Sequence, residues 1–392
     1  MTLTPLPRHG VAFALNPIEY LIVSEAPDDV DHFEIDLYYE PEWMSGDYSI
    51  IHTWVEDYMI DDDGNKYARI DISELLLSRV KPMTIPNADN FDVLAPVKRF
   101  SIFVQSIAAD GTDAEDMETD EDRYVVYGGI QQQKWNNYSE HYFNQHDTNR
   151  PLATWAPDNL KVLRTQPYFL YFLCSEDNTL ITFKRKKYTT PASSTTETLG
   201  THSNVEKYEL LGPVQFILDD DDYIKYDVWV EGSSPSWTGE MKTFVVDFIQ
   251  HRNVKYFGFN NSVGGFDTIY CSGTYIEEYE YAGDTQTVMA VQILNNTQTP
   301  RSRQTIYTEE QGELTASTGF KTRAEIDWFR EALLATEFWE YTDDGWMPCE
   351  IVRDTVRLLD SEQKLFALQF KYRYAFKNRA FTPRSWSKEE AS

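Results

Sequence analysis

Cysteine is scarce in this chain. Its three residues, Cys174, Cys271 and Cys349, are odd in number and far apart, so they form no disulfide framework, and no Cys-x-x-Cys or Cys/His cluster offers a zinc site. Each lies among apolar, strand-like residues and is expected as a small buried hydrophobe. Positive charge is also short: 35 Lys and Arg face 64 Asp and Glu, a net charge of -29. Such a surface repels phosphates, which argues against nucleic acid and against an anionic membrane surface as partner. No run approaches the length of a membrane span, and the N-terminal residues lack the basic, apolar and small-residue pattern of an export leader. Synthesis and folding in a cytoplasm are expected.

Enzyme signatures are missing too. There is no GxSxG elbow, P-loop, HExxH or GxGxxG after a strand, so neither catalysis nor a cofactor is expected. His141 and His146, with Asp147 adjacent, have the wrong phase for one helical face and no third ligand, and are read as surface residues. The acidic stretches at 61–72 and 109–123 lack the spacing of central glycine and terminal glutamate that makes calcium ligands converge, and "DDDD" at 219–222 precedes a strand as a turn would. No metal is assigned to them. The second of these, with eight carboxylates, is expected as a solvated hairpin loop.

What is present is β-sheet material. Hydrophobic residues make up 41% and aromatics 15% of the chain. They fall in short runs rich in Val, Ile, Tyr, Phe, Thr and Trp, broken by Gly, Pro, Asn and Asp. A mainly β fold is expected, with two or three β-sandwich-like domains in tandem and the last one α+β with a single well-capped helix. Residues 1–130 are read as an N-terminal sandwich and 131–165 as a connecting segment. Residues 166–273 are read as a second sandwich carrying a mobile Ser/Thr-rich loop at 189–204, and 274–392 as the α+β domain. "DISELLLSRV" (71–80) reads as a short helical turn with Asp71 or Ser73 as cap. "KRKK" at 184–187 stands out against the acidic background as a solvated strand end or a seat for an acidic neighbouring copy.

Two local patterns are sharper. In "KTRAEIDWFREALLATEFWEY", Thr322 and Glu325 have the spacing of a capping box, and Ile326, Phe329 and Leu333 share one face. A helix over about 322–335 follows. In "KYFGFNNSVGGFDTIYCSG" (255–273), strand-like runs flank Asn260, Asn261, Gly264 and Gly265, which are expected to supply the positive φ of a tight turn. Phe259 and Phe266 then cover the core, and Asp267 follows on the second strand. A phosphate loop would open a helix instead. The structural hairpin is therefore preferred to a ligand-binding tip.

"FGFNNSVGGFDTIYCSG" is similar to an element, "lNrfGGwDtf.f.G", that recurs in virion tail proteins of phages and prophages infecting Bacteroidota. "NPIEYLIVSE" (16–25) and "ARIDISELLLS" (68–78) resemble the start of those proteins. "STGFKTRAEIDWFREALLATEFWEY", "GWMPCEIV" and "LFALQFKYRYAF" resemble their end, and the pieces keep their order over about residues 11–376. Asn261 stands where the element usually has a basic residue, and Phe266 where Trp is commoner. The resemblance implies a non-catalytic structural component of a phage tail or baseplate, in a ring, hub or fibre-adaptor role, whose partners are further copies of itself and other tail proteins. It places the protein in the virion and transfers no catalytic residue.

A rival expectation is a carbohydrate-binding or host-receptor-binding module of the virion. Exposed Trp135, Trp155 and Trp237, all in polar loop-like contexts, would then stack on a host-surface glycan or a partner.

Overall fold

The computed structural model describes residues 1–6, 11–26, 29–42, 45–86, 97–131, 144–145, 148–149, 152–174, 177–216, 223–233, 239–251, 253–287, 303–360 and 366–376. These residues are mainly β, in six sheets with two short helices. The chain forms two compact units that interleave in sequence. The first is Met1–Ile249 with Gly258–Ile269 and Asp327–Glu337, and the second is Gln250–Phe257, Tyr270–Ile326 and Phe338–Ser392.

The first unit opens with nine strands: β1 Thr2–Leu6, β2 Val11–Phe13, β3 Glu19–Val23, β4 Val30–Tyr39, β5 Ser49–Asp57, β6 Met59–Ile60, β7 Lys66–Asp71, β8 Val97–Ala108 and β9 Glu118–Val126. Helix α1, Ser73–Leu77, follows β7. One sheet has the order β1-β3-β7-β6 and the other β2-β9-β8-β4-β5. Alternation decides which faces meet. Tyr20, Ile22 and Ile70 of the first sheet share a single core with Phe33, Ile35, Leu37, Ile102 and Val104 of the second, and Leu76 of α1 joins it. Each large side chain buried this way contributes about 1.5–3 kcal/mol.

Two sequence expectations change here. The acidic run at 109–123 is not all loop, because β9 begins at Glu118 and pairs along β8. Its carboxylates have partners: Asp120 binds Tyr20 and Arg123, and Glu115 accepts the Ser24 hydroxyl and the Glu25 and Ala26 amides. At α1, neither Asp71 nor Ser73 is the N-cap. Ile72 holds that position without a side-chain cap bond, while Asp71 accepts the Ser73 amide at 2.9 Å.

After a two-residue ladder of β10 (Asn144–Gln145) and β11 (Thr148–Asn149), the first unit continues with β12 Leu160–Val162, β13 Tyr168–Leu173, β14 Asn178–Thr190, β15 Ser193–Val205, β16 Leu210–Phe216, β17 Lys225–Gly232 and β18 Lys242–Val246. A five-stranded sheet, β12-β18-β17-β14-β15, is covered by the β13-β16 pair. Tyr168 meets Phe244 and Phe172 meets Phe183, each at 5.0 Å between ring centroids. The Ser/Thr-rich stretch expected as a mobile loop at 189–204 is instead most of β15, paired with β14 from Asn178↔Val205 to Thr190↔Ser193. It buries little, but its backbone is held by the ladder, and threonine suits an extended chain.

The remaining strands are β19 Lys255–Asn260, β20 Phe266–Cys271, β21 Ile276–Thr287, β22 Arg303–Ser317, β23 Phe338–Thr342, β24 Gly345–Asp360 and β25 Phe366–Tyr374. They form one sheet in the order β20-β19-β23-β24-β25-β22-β21. In the second unit, Phe257, Phe338, Phe370 and Tyr372 stack into an aromatic core at 5.0–6.1 Å. Helix α2 spans Arg323–Phe329. Its capping box is formed: the Thr322 amide donates to Glu325 Oε2 at 2.8 Å and the Glu325 amide to Thr322 Oγ1 at 3.3 Å. The helix is shorter than the expected 322–335. From Glu331 to Ala335 the backbone amides reach back three residues, tightening the chain into successive turns.

The expected tandem boundaries also change. Positions 130, 131, 165 and 166 lie within the span of the first unit, and 273/274 lies inside a segment of the second. Hydrogen bonds at long range accompany this: the Gly129 amide donates to Ser262 O at 2.8 Å and Asn261 Nδ2 to Ala153 O at 2.7 Å, while Asn260 and Glu337 exchange bonds at 2.8 and 3.3 Å that tie the two later segments to each other.

Candidate functional site

A cluster of mutually bonded polar groups surrounds the β19–β20 turn, in the first unit. β19 ends at Asn260 and β20 begins at Phe266, with Phe259 and Phe266 fully buried. The turn is organised by Asn261, which is 1% exposed. Its Oδ1 accepts the Val263 and Gly265 amides at 3.1 and 2.7 Å, and its Nδ2 donates to Ala153 O at 2.7 Å and to Asp267 Oδ2 at 3.1 Å. Two acceptor and two donor positions are all that an amide side chain has, and all four are used within the chain.

The expectation that Asn260 and Asn261 supply positive φ is corrected, since only Gly264 does so in this turn, at +90°. Gly265 is needed for another reason: a Cβ there would stand 2.4 Å from Ala153 O.

Asp267, 2% exposed, is the second hub. Its Oδ2 also accepts Thr154 Oγ1 at 2.8 Å and Trp328 Nε1 at 3.2 Å. Burial pushes its carboxyl up to about 6, against the downward pull of these bonds and of the Lys242 ammonium. Glu331 accepts the Ser262 amide at 2.5 Å through Oε1, while Oε2 is shut off from solvent with no hydrogen-bond partner among the described residues. Burial, and then the charge of Asp267, push this carboxyl up to about 8. Trp155 is half-buried and donates its indole N–H to Ser262 Oγ at 3.0 Å, so that candidate stacking residue is engaged within the chain. Trp135 and Trp237 lie outside the described residues, as do His141, His146 and Asp147.

Two raised carboxyls invite comparison with a glycosidase pair, but Asp267 is sealed inside and Glu331 Oε2 has no access to solvent. Asp267 is thus closed to a substrate, while Glu331 as a whole is half-buried. The arrangement is chemically suited to holding a turn.

A second carboxylate hub lies in the second unit. Glu340, fully buried, accepts Lys255 Nζ at 2.6 Å through Oε1, and the Tyr372 and Tyr374 hydroxyls at 3.0 and 2.8 Å through Oε2. Burial first, then the charge of Glu340, holds both tyrosine hydroxyls above their ordinary range. All three cysteines are buried and free, and burial pushes the Cys271 thiol up to about 12. No group of three or more His, Cys, Asp or Glu suited to a metal occurs among the described residues.

Two exposed features remain. A groove of about 400 Å³ in the second unit is lined by Gln311, Glu350, Arg373, Tyr374, Ala375 and Phe376. Tyr374 and Phe376 stack there at 5.5 Å, beside an Arg373–Glu350 pair at 3.0 Å. In the first unit, "KRKK" lies on β14. Arg185 and Lys187 pair with Glu197 on one face, while Lys184 and Lys186 are on the other, Lys184 being 3.9 Å from Glu231. The long-range hub residues Thr154, Trp328, Glu331 and Glu340 carry no local sequence signal and were not singled out from sequence.

No family model and no curated protein matches this chain. Among solved structures, the surface layer protein SbsC, domains 1–6, is similar at 10% identity, over 94% of this chain and 51% of that one, with a TM-score of 0.14. The chain therefore spans about half the length of that structure, and a likeness so slight carries no argument. No helix among the described residues is long and apolar enough to cross a membrane.

Proposed function

We propose that the chain is a structural, non-catalytic component of a virion tail or baseplate, acting through contacts between copies and with neighbouring tail proteins. The resemblance of its ordered motifs to tail proteins supports this reading. The observation that carries it is the β21–β22 ribbon. β22 pairs with β25 only over Glu313–Ser317, whereas β21 and β22 stay paired out to Thr287↔Arg303. Ten residues of β22 thus run on with β21 as their only strand partner among the described residues, about 33 Å of two-stranded chain. A lone two-stranded ribbon is marginal in water and gains stability by binding. Tyr279 and Tyr281, 45% and 67% exposed, give it interface anchors. Mass spectrometry of purified particles tests the reading: the polypeptide is expected in stoichiometric amount, and its absence from every particle removes the proposal.

The second reading, recognition of a host-surface glycan, is favoured by the groove rather than by Trp155. Stacked Tyr374 and Phe376 beside Arg373, Glu350 and Gln311 combine an aromatic platform with hydrogen-bonding groups. Binding on a glycan array that Phe376→Ala abolishes supports it, and a flat array contradicts it.

A further inference from the structure

We infer that copies join edge to edge, with β21 of one copy lying along β15 of the next. The inference rests on the multimeric reading above and adds which surfaces meet. Both strands end their sheets, and among the described residues neither has a partner on its outer side. They match in length, 12 residues for β21 and 13 for β15. Each offers a row of backbone donors and acceptors, and natural edges normally blunt such a row with charge, proline or a cover. β15 has no Lys, Arg or Pro, and its single carboxylate, Glu197, is turned to Arg185 and Lys187.

Charge selects the pairing. β21 carries four carboxylates in its sequence, so laying β21 against a second β21 places like charges across from each other, which is unfavourable. Against β15 the strand meets Ser and Thr instead, with Lys184 and Lys186 one strand further in, about 10 Å from β21. Pairing β15 with β15 gains nothing from charge. The joint uses two different patches, so it is heterologous: every copy offers one β15 and one β21, and the contact propagates as a ring or a filament. It also gives the ribbon a third strand.

The test uses the full chain. Equal amounts of ¹⁴N- and ¹⁵N-labelled protein are mixed and coupled with a zero-length carbodiimide, and the products are mapped by mass spectrometry. Isotopically mixed peptides joining Lys184 or Lys186 to a carboxylate of β21 are expected. Thr195→Pro and Thr196→Pro are compared in parallel, because neighbouring strand residues direct their N–H groups to opposite sides. One of the two is expected to keep the wild-type melting temperature and weaken self-association about tenfold or more. Tyr281→Lys on the exposed ribbon is expected to weaken it similarly, with unchanged melting. Multimers whose mixed peptides join β15 to β15, β21 to β21, or other surfaces overturn this inference and leave the multimeric reading standing. A monomer at every concentration with no mixed peptides overturns this inference, and absence of the polypeptide from particles as well overturns both.

Discussion

Glu331 makes a sharp energetic prediction, because an enclosed carboxyl with one unpartnered oxygen opposes folding whenever it must ionise. Its folded value of about 8 lies above the ordinary 4.5, so the folded state holds its proton more tightly than the unfolded state does. The stabilisation from that proton is complete below pH 4.5 and is lost as pH rises to about 8. Each pH unit in that window removes about 1.4 kcal/mol, so roughly 3 kcal/mol is gone by neutral pH. Glutamine keeps an oxygen for the Ser262 amide and never ionises. Its buried NH₂ group costs about 1 kcal/mol of unmet hydrogen bonding. Glu331→Gln should therefore be slightly destabilising at pH 4.5 and stabilising by about 2 kcal/mol at pH 7, with the gain levelling off near pH 8. Urea unfolding followed by tryptophan fluorescence, with wild type and variant compared at each pH, cancels the titration of the other carboxylates. A difference between the two proteins that stays flat from pH 4.5 to 8 refutes the reasoning.

Three further substitutions probe the same architecture. Gly265→Ala drives a methyl group into Ala153 O and should cost about 1–3 kcal/mol by urea unfolding, whereas an alanine that costs nothing would show the turn able to shift. Glu340→Gln leaves the Lys255 ammonium without its buried counter-charge, an expected loss of about 3 kcal/mol, read from the melting temperature at neutral pH. Thr322→Ala removes the reciprocal cap of α2 and should lower stability by about 1 kcal/mol, while Thr322→Ser retains most of it.

Strands that alternate over a shared core, such as β4 and β8, were legible because every second residue is apolar. The β19–β20 hairpin and the Thr322–Glu325 cap were legible because their partners lie within a few residues of each other. β15 was not legible, since its Ser and Thr residues bury little and its order comes from the ladder to β14. The acidic half of β9 hid for the same reason. At the turn, Asn261 was visible as a residue but its role was misread. A turn-forming asparagine and a fully bonded buried amide look alike in sequence, and only the arrival of Ala153 and Asp267 separates them. Apart from the Asn261–Asp267 bond, the carboxylate hubs join residues 32 to 113 positions apart, so no window of sequence contains them.

The central claim is that this chain acts through the edges and faces it presents to other copies. Sedimentation velocity of the full chain from micromolar to millimolar concentration tests it most directly. Growth from monomer into a closed or propagating multimer is predicted, with the loss of that growth in Tyr281→Lys. A single monomeric boundary across the whole range contradicts the account.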